Sequence, residues 1–199
     1  MELAFMTEPQ AGGTYDDLLG LARWAEGIGF TAFSRSDHYL NMDESVAATD
    51  ALTTLAGLAR DTDTIKLSVL VTPLTFRHPA VLAKTAATID EMSGGRLELG
   101  VGTGWMETEH ARFGIELPEL RERFSRLYET LAYLRVCFGS DADGYAGRHY
   151  ALEAMDVLPK PTGRLPIVVG GGGPKKTPSI AGRFADEYNM FSCDFETLQ

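Results

Sequence analysis

The chain of 199 residues is long enough for one domain with a real core. Its formal net charge of -10, without lysine or arginine clusters, argues against nucleic acid or an anionic membrane as the main partner. Cys137 and Cys193 are too far apart for a paired motif, no apolar run could span a bilayer, and Met1-Glu2-Leu3 has no basic leader, so the expectation is a cytoplasmic protein.

Leu3–Met6 reads as a short strand, ended by Thr7-Glu8 and a turn at Gly12-Gly13. Thr14 and Asp17 have capping-box spacing, ahead of Leu18, Leu21, Ala22, Ala25 and Ile28 at helical intervals. Gly27 and Gly29 stop that helix, and Phe30–Phe33 forms a second strand that ends in the polar run Ser34-Arg35-Ser36-Asp37-His38. Asp43–Arg60 predicts a second helix, with Leu52, Leu55, Ala56 and Ala59 on one side. Ile65–Val71 has the branched composition of a buried parallel strand and closes at Thr72-Pro73. Pro79 takes the first position of a helix whose body is Ala80–Met92, with Gly94 or Gly95 as its left-handed cap.

Leu97–Val101 is the central strand, and it dissolves into Gly102-Thr103-Gly104. Glycines at such an end let the backbone turn sharply or approach a ligand. Glu107–Pro118, broken by Gly114, makes a poor helix directly behind it. Glu119–Phe138 is the clearest helix, with Leu120, Phe124, Leu127, Leu131 and Leu134 stepping by three and four. Residues 141–158 form a surface insertion, with a small strand pair expected in His149–Leu158. Pro166–Val169 is the next core strand, ending in Gly170–Gly173; a helix near Thr177–Ala185 and a strand over Glu187–Phe191 follow. Asp194 reads as the cap of one further helical turn.

Strict strand-helix alternation predicts an α/β fold with a parallel sheet. Small or polar residues end each strand (Thr7, Asp37, Thr72, Thr103, Gly171, Ser192), as at the rim of a (β/α)8 TIM-type barrel. About six of the eight strand-helix units are present, so residues 1–199 are expected to form a single barrel domain, incomplete at the C-terminus. Its two open sheet edges favour self-association, a homodimer being one outcome.

Each motif has a bland reading beside the chemical one. Leu97–Gly104 resembles the first motif of methyltransferases that use S-adenosylmethionine, yet that motif belongs to a domain's first strand and enters a helix at once; a tight turn without ligand is the plain alternative. Gly170–Gly173 with Pro174-Lys175-Lys176-Thr177 misses the P-loop pattern, because Lys175 stands where glycine is required. Free backbone N–H groups ahead of a helix still suit an oxyanion or phosphate, and a linker is the alternative. His38 is either a solvated loop residue or a rim imidazole, and Asp37 either fixes its tautomer or caps the loop. His78 reads as structural, and His110 and His149 as loop residues. No pair has metal-ligand spacing, so no metal is expected. Tyr15, Trp24 and Tyr128 suit packing, whereas Trp105 is placed to line a substrate pocket.

In combination, Ser36-Asp37-His38, Val69–Pro73, Thr75–Pro79, Ser93–Trp105, Pro166–Gly173 and Lys175-Lys176-Thr177 resemble the luciferase-like flavin and deazaflavin oxidoreductases, in particular the branch that uses coenzyme F420. The resemblance implies hydride transfer between a small organic substrate and the deazaflavin. An FMN-dependent monooxygenase on the same fold is the alternative, and a non-catalytic barrel piece the second alternative. It further implies a cis peptide at Val69-Leu70 behind the ring, with Thr103 and Gly104 bordering the cofactor and Gly171, Gly172 and Gly173 holding its phosphate. Asp37 and His38 would be catalytic, His38 being the first candidate for the proton. Sugar-phosphate dehydrogenases of this family carry glutamate just after the GTG turn. Trp105 stands there instead, which argues against such a substrate; Glu107 and Glu109 lie nearby without an assigned place.

Overall fold

The computed structural model describes residues 2–43 and 48–190. The core strands are β1 (Ala4–Thr7), β2 (Ala32–Arg35), β3 (Lys66–Pro73), β4 (Leu97–Gly102), β7 (Ile167–Gly170) and β8 (Glu187–Asn189), with β5 (Tyr145–Ala146) and β6 (Ala151–Leu152) pairing as a separate hairpin. The six core strands lie side by side in chain order and all run parallel, curving into half of a barrel. Helices α1 (Tyr15–Gly27), α2 (Ala51–Asp61), α3 (Pro79–Ser93), α4 (Glu107–Phe113), α5 (Leu120–Phe138) and α6 (Lys176–Phe184) occupy the connections.

Local chemistry sets the boundaries. Thr14 and Asp17 complete the reciprocal capping box that opens α1, and Gly94 at φ 69° closes α3. His78 is structural, its ring accepting from the Ala80 N–H at the start of α3. The second helix begins at Ala51 rather than Asp43, because Asp50 is its cap and accepts from the Thr53 N–H; residues 44–47 lie outside the described residues. The expected loop after the GTG turn contains α4: Glu107 and Glu109 suit its electropositive first turn, and Gly114 at φ 66° ends it. The insertion's strand pair joins Tyr145–Ala146 to Ala151–Leu152, so its second strand falls within the predicted span and its first strand precedes it. Glu129 of α5 pins the hairpin by accepting from the N–H groups of Arg148, His149 and Tyr150. Cys193, Asp194 and the end of the predicted last strand lie outside the described residues.

Register decides which side chains meet. Phe33, Leu67 and Leu97 form one row across β2, β3 and β4, and Val69, Leu99 and Ile167 form the next. These rows join Leu52, Leu55, Ala86 and Leu131 from the helices in one core. The opposite face carries Ser34, Ser68 and Glu98, then Gly100 and Val168. Among the described residues, no helix is long and apolar enough to cross a membrane.

Candidate active site

The carboxyl ends of the strands surround a cavity of about 700 Å³, within the usual range for small-molecule sites. Of the residues expected at the site, His38, Leu70, Thr103, Gly104, Trp105, Gly171 and Gly172 line it. Three predicted residues do not line it: Asp37, Val69 and Gly173. Glu8, Gln10, Ser36, Val71, Gly102, Gly170 and Asn189 add to the wall.

The non-proline cis peptide is Leu70-Val71, one bond beyond the predicted Val69-Leu70. The register explains the offset. Val69 still pairs regularly with Arg35 and Leu99, and only between Val69 and Thr72 does the ladder slip. Leu70 and Val71 therefore form the bulge, and Val69 stays buried in the core. The Val71 side chain lies over glycine: a methyl group added at Gly100, Gly102 or Gly170 would come within 2.9, 2.7 and 2.7 Å of it. The strand ends are thus glycine-rich partly to admit this valine.

Asp37 is corrected from a cavity residue to an enclosed one. Its side chain has 0% exposure, and its Oδ2 accepts from Thr72 Oγ1 (2.7 Å) and Arg77 Nη1 (2.6 Å). The other guanidinium nitrogen of Arg77 pairs with Asp50, which also accepts from the Tyr39 hydroxyl. Burial opposes the Arg77 charge, but Asp37 and Asp50 outweigh it and hold its pKa above the ordinary value. Burial, reinforced by these carboxylates, also raises the Tyr39 phenol. Arg77 thereby ties the loop after β2 to the loop after β3. Arg35, fully buried, ties the same region to α2 through Thr49 and Thr54.

His38 remains at the wall with 17% of its side chain exposed. Its Nδ1 lies 3.2 Å from Glu109 Oε2, and its ring meets Trp105 edge-on at 5.6 Å. Glu109 has 0% side-chain exposure, and its Oε1 accepts from the N–H groups of Tyr39 (2.5 Å) and Leu40 (3.0 Å). Burial lowers the imidazole pKa, yet the hydrogen bond and charge of Glu109 overcome it, with smaller help from Glu8 and Asp37, leaving His38 above its usual 6.5.

His110, predicted in a loop, is buried in α4. Its Nδ1 faces the Met106 carbonyl (2.8 Å) and its Nε2 the Thr75 hydroxyl (2.7 Å), so Nδ1 carries a hydrogen and donates it to the carbonyl. Trp105 is 60% exposed at the mouth. A second hollow of about 270 Å³ shares Leu40, Asn41, Met42, Trp105 and Met106 with the cavity, giving this side a mostly apolar wall.

The β7 end differs. Gly171 has φ 148°, and an added methyl at Gly173 would meet Thr177 Oγ1 at 2.9 Å, which turns Gly173 toward α6. Gly172 has no left-handed φ, and a methyl group there would find no protein atom within 4 Å. Gly172 lines the cavity, and neither packing nor backbone conformation requires glycine at that position.

A parallel half-barrel with a cavity at the strands' carboxyl ends and an imidazole in its wall defines a barrel of the ligand-binding α/β class. The chain belongs to the luciferase-like monooxygenase family, whose model matches residues 3–197. That membership displaces the methyltransferase reading of Leu97–Gly104. The chain is 35% identical over 175 residues to the F420-dependent glucose-6-phosphate dehydrogenase of Microbacterium testaceum (strain StLB037), a match covering 87% of this chain and 52% of the relative. The enzyme so named from Amycolatopsis mediterranei (strain U-32) is 35% identical over 174 residues, covering 86% and 52%. An F420-dependent secondary alcohol dehydrogenase in complex with an F420-acetone adduct shares the fold, with a TM-score of 0.85 and 23% identity over 99% of this chain and 60% of that one. The chain spans about half the length of the curated relatives it matches.

Proposed function

We propose that the chain is the cofactor-binding and proton-handling part of an F420-dependent oxidoreductase acting on a small organic substrate. The observation that carries this reading is the convergence of His38, the Leu70-Val71 bulge and two glycine-rich strand ends on one cavity. A bound deazaflavin supplies hydride chemistry at one ring carbon. The residues present suit such a group. The bulge would back its ring, Thr103 and Gly104 would border it, and Gly172 would offer its backbone N–H to the phosphate, whereas the Gly171 N–H, expected to share that task, already donates to the Asn189 carbonyl. The open position at Gly172 is the strongest sign of that fit, because of the glycines lining the cavity it is the one that neither a close neighbour nor a left-handed φ explains.

His38 would move the proton that accompanies hydride transfer, since its ring borders the cavity and Glu109 raises its pKa above 6.5. Leu40, Met42, Trp105 and Met106 would receive the substrate's apolar part. This wall, and Trp105 after the GTG turn, favour a neutral organic molecule over a sugar phosphate.

Fluorescence titration of the purified protein tests the reading. Quenching of F420 with little response to FMN is the expected result. FMN binding alone would move the assignment to a monooxygenase, and silence with both would leave a non-catalytic barrel piece. With a turned-over substrate in hand, His38→Ala should reduce turnover by roughly 10²-fold or more; full activity would remove His38 from proton transfer.

A further inference from the structure

Glu109 is unplaced from sequence because nothing in ETEHARF says which carboxylate turns inward. The fold brings it to the loop after β2, from a position 71 residues away in sequence from His38. It is a fully buried carboxylate, and its hydrogen bonds run to that loop: to the backbone N–H groups of Tyr39 and Leu40 and to the ring Nδ1 of His38.

We infer that Glu109 is a positioning residue that fixes His38 as the Nδ1–H tautomer and leaves Nε2 for the cavity. The reasoning is one of donors and acceptors. An ionised carboxylate only accepts, so the neutral imidazole must place its single proton on the nitrogen facing Glu109. The other nitrogen then carries a lone pair, and it gains or loses a proton without disturbing the bond behind it. The two backbone N–H bonds hold the other carboxylate oxygen, so the acceptor does not swing away from the ring. A carboxylate behind a working imidazole also stabilises its cationic form.

The charges around the ring come from three places. Glu8 approaches from the segment after β1, Asp37 is the neighbouring loop residue, and Glu109 comes from α4; all three act in the same direction. Of the three, it is Glu109 that makes the hydrogen bond to the imidazole. This inference rests on the reading of His38 as the proton-transfer group, but the tautomer is measurable without cofactor or substrate.

The experiment is ring ¹⁵N NMR of His38 in the cofactor-free protein, wild type beside Glu109→Gln. Wild type should show the proton on Nδ1 in the neutral state; a proton on Nε2 overturns the inference whatever the variant does. In the variant, the introduced amide can keep its oxygen toward Tyr39 and Leu40 while turning its NH₂ to His38. That donor would force the proton onto Nε2 and lower the ring's titration midpoint. A variant that folds with tautomer and midpoint unchanged would reduce Glu109 to a loop clamp and overturn the positioning role. If Glu109→Gln does not fold, the wild-type tautomer still decides. With a substrate, the variant should lose roughly 10²-fold or more in kcat, with a smaller change in KM. An intact His38→Ala would refute the proton-transfer reading and leave the tautomer result standing, so the two failures are distinguishable.

Discussion

A methyl group placed on Gly100, in β4, would sit 2.1 Å from the carbonyl oxygen of Val69, whereas one placed on Gly172, just past β7, would meet no protein atom within 4 Å. Both positions belong to glycine-rich strand ends that look alike in sequence. In β4 the glycines are explained inside the protein: Gly100 and Gly102 pack against the bulge of β3, and Gly104, at φ 74°, lies against Pro73 and Thr75. At the end of β7 the explanation divides, because Gly170 belongs to the bulge, Gly173 faces Thr177, and Gly172 is left open. The same contrast extends to the side chains. The loops after β2, β3 and β4 are locked together by Arg77, Asp37, Asp50 and Glu109. Behind the β7 end, Lys176 instead rests on the Phe124 ring at 5.2 Å. One part of the rim is built as a wall, and the other leaves Gly172 without a close protein neighbour.

Removing Arg77 tests the wall most severely. Arg77→Met should cost about 3–5 kcal/mol in urea denaturation, because it strands the fully enclosed Asp37 carboxylate. A loss below about 1 kcal/mol would show that the loops are held by packing alone. Gly100→Ala comes next, at roughly 3 kcal/mol, since the obstacle is a backbone carbonyl within a strand ladder and cannot rotate aside. Near-normal stability in that variant would mean that β3 can shift away from β4, and the contrast between the two rims would weaken.

How much of this wall the sequence carries can be judged residue by residue. Strand-helix alternation, the Thr14 capping box, Pro79 and Gly94 are local signals, so the architecture and several boundaries were legible. His38, Thr103, Gly104, Trp105, Gly171 and Gly172 were legible because strand ends converge at one rim in this topology. Asp37 was misread for a reason that spacing cannot reveal: its partner Arg77 lies 40 residues away, and their bond draws the carboxylate out of the cavity. Val69 was misread by one residue because a bulge changes register without changing composition. Glu109 and His110 were missed because seven residues of α4 are too few to show a periodic face.

Substitution at Gly172 addresses the open part of the rim. Gly172→Ala should leave unfolding free energy within about 0.5 kcal/mol of wild type, as expected where the new methyl meets no neighbour. If the free backbone there holds a cofactor phosphate, F420 affinity should fall about tenfold, equivalent to ~1.4 kcal/mol. Loss of stability would instead assign Gly172 to the wall, and unchanged affinity would separate it from the ligand.

The smallest expected effect lies where wall and cavity meet, at His38. Its pKa in the folded chain is raised above the usual 6.5: burial alone would lower it, but the hydrogen bond and charge of Glu109 prevail. A raised folded-state value means that the folded chain holds the proton more tightly than the unfolded chain does. The resulting stabilisation is fully present below about pH 6.5 and disappears as pH rises through the folded value. Urea midpoints of wild type and His38→Ala should therefore lie further apart at about pH 5.5 than at about pH 9. The change between the two pH values should stay below about 1 kcal/mol, because the ring keeps part of its contact with water. A gap that widens toward the alkaline end would require a neutral His38 to be the favoured folded form. The imidazole would then belong with the buried packing of the wall, and its link to Glu109 would contribute no charge attraction.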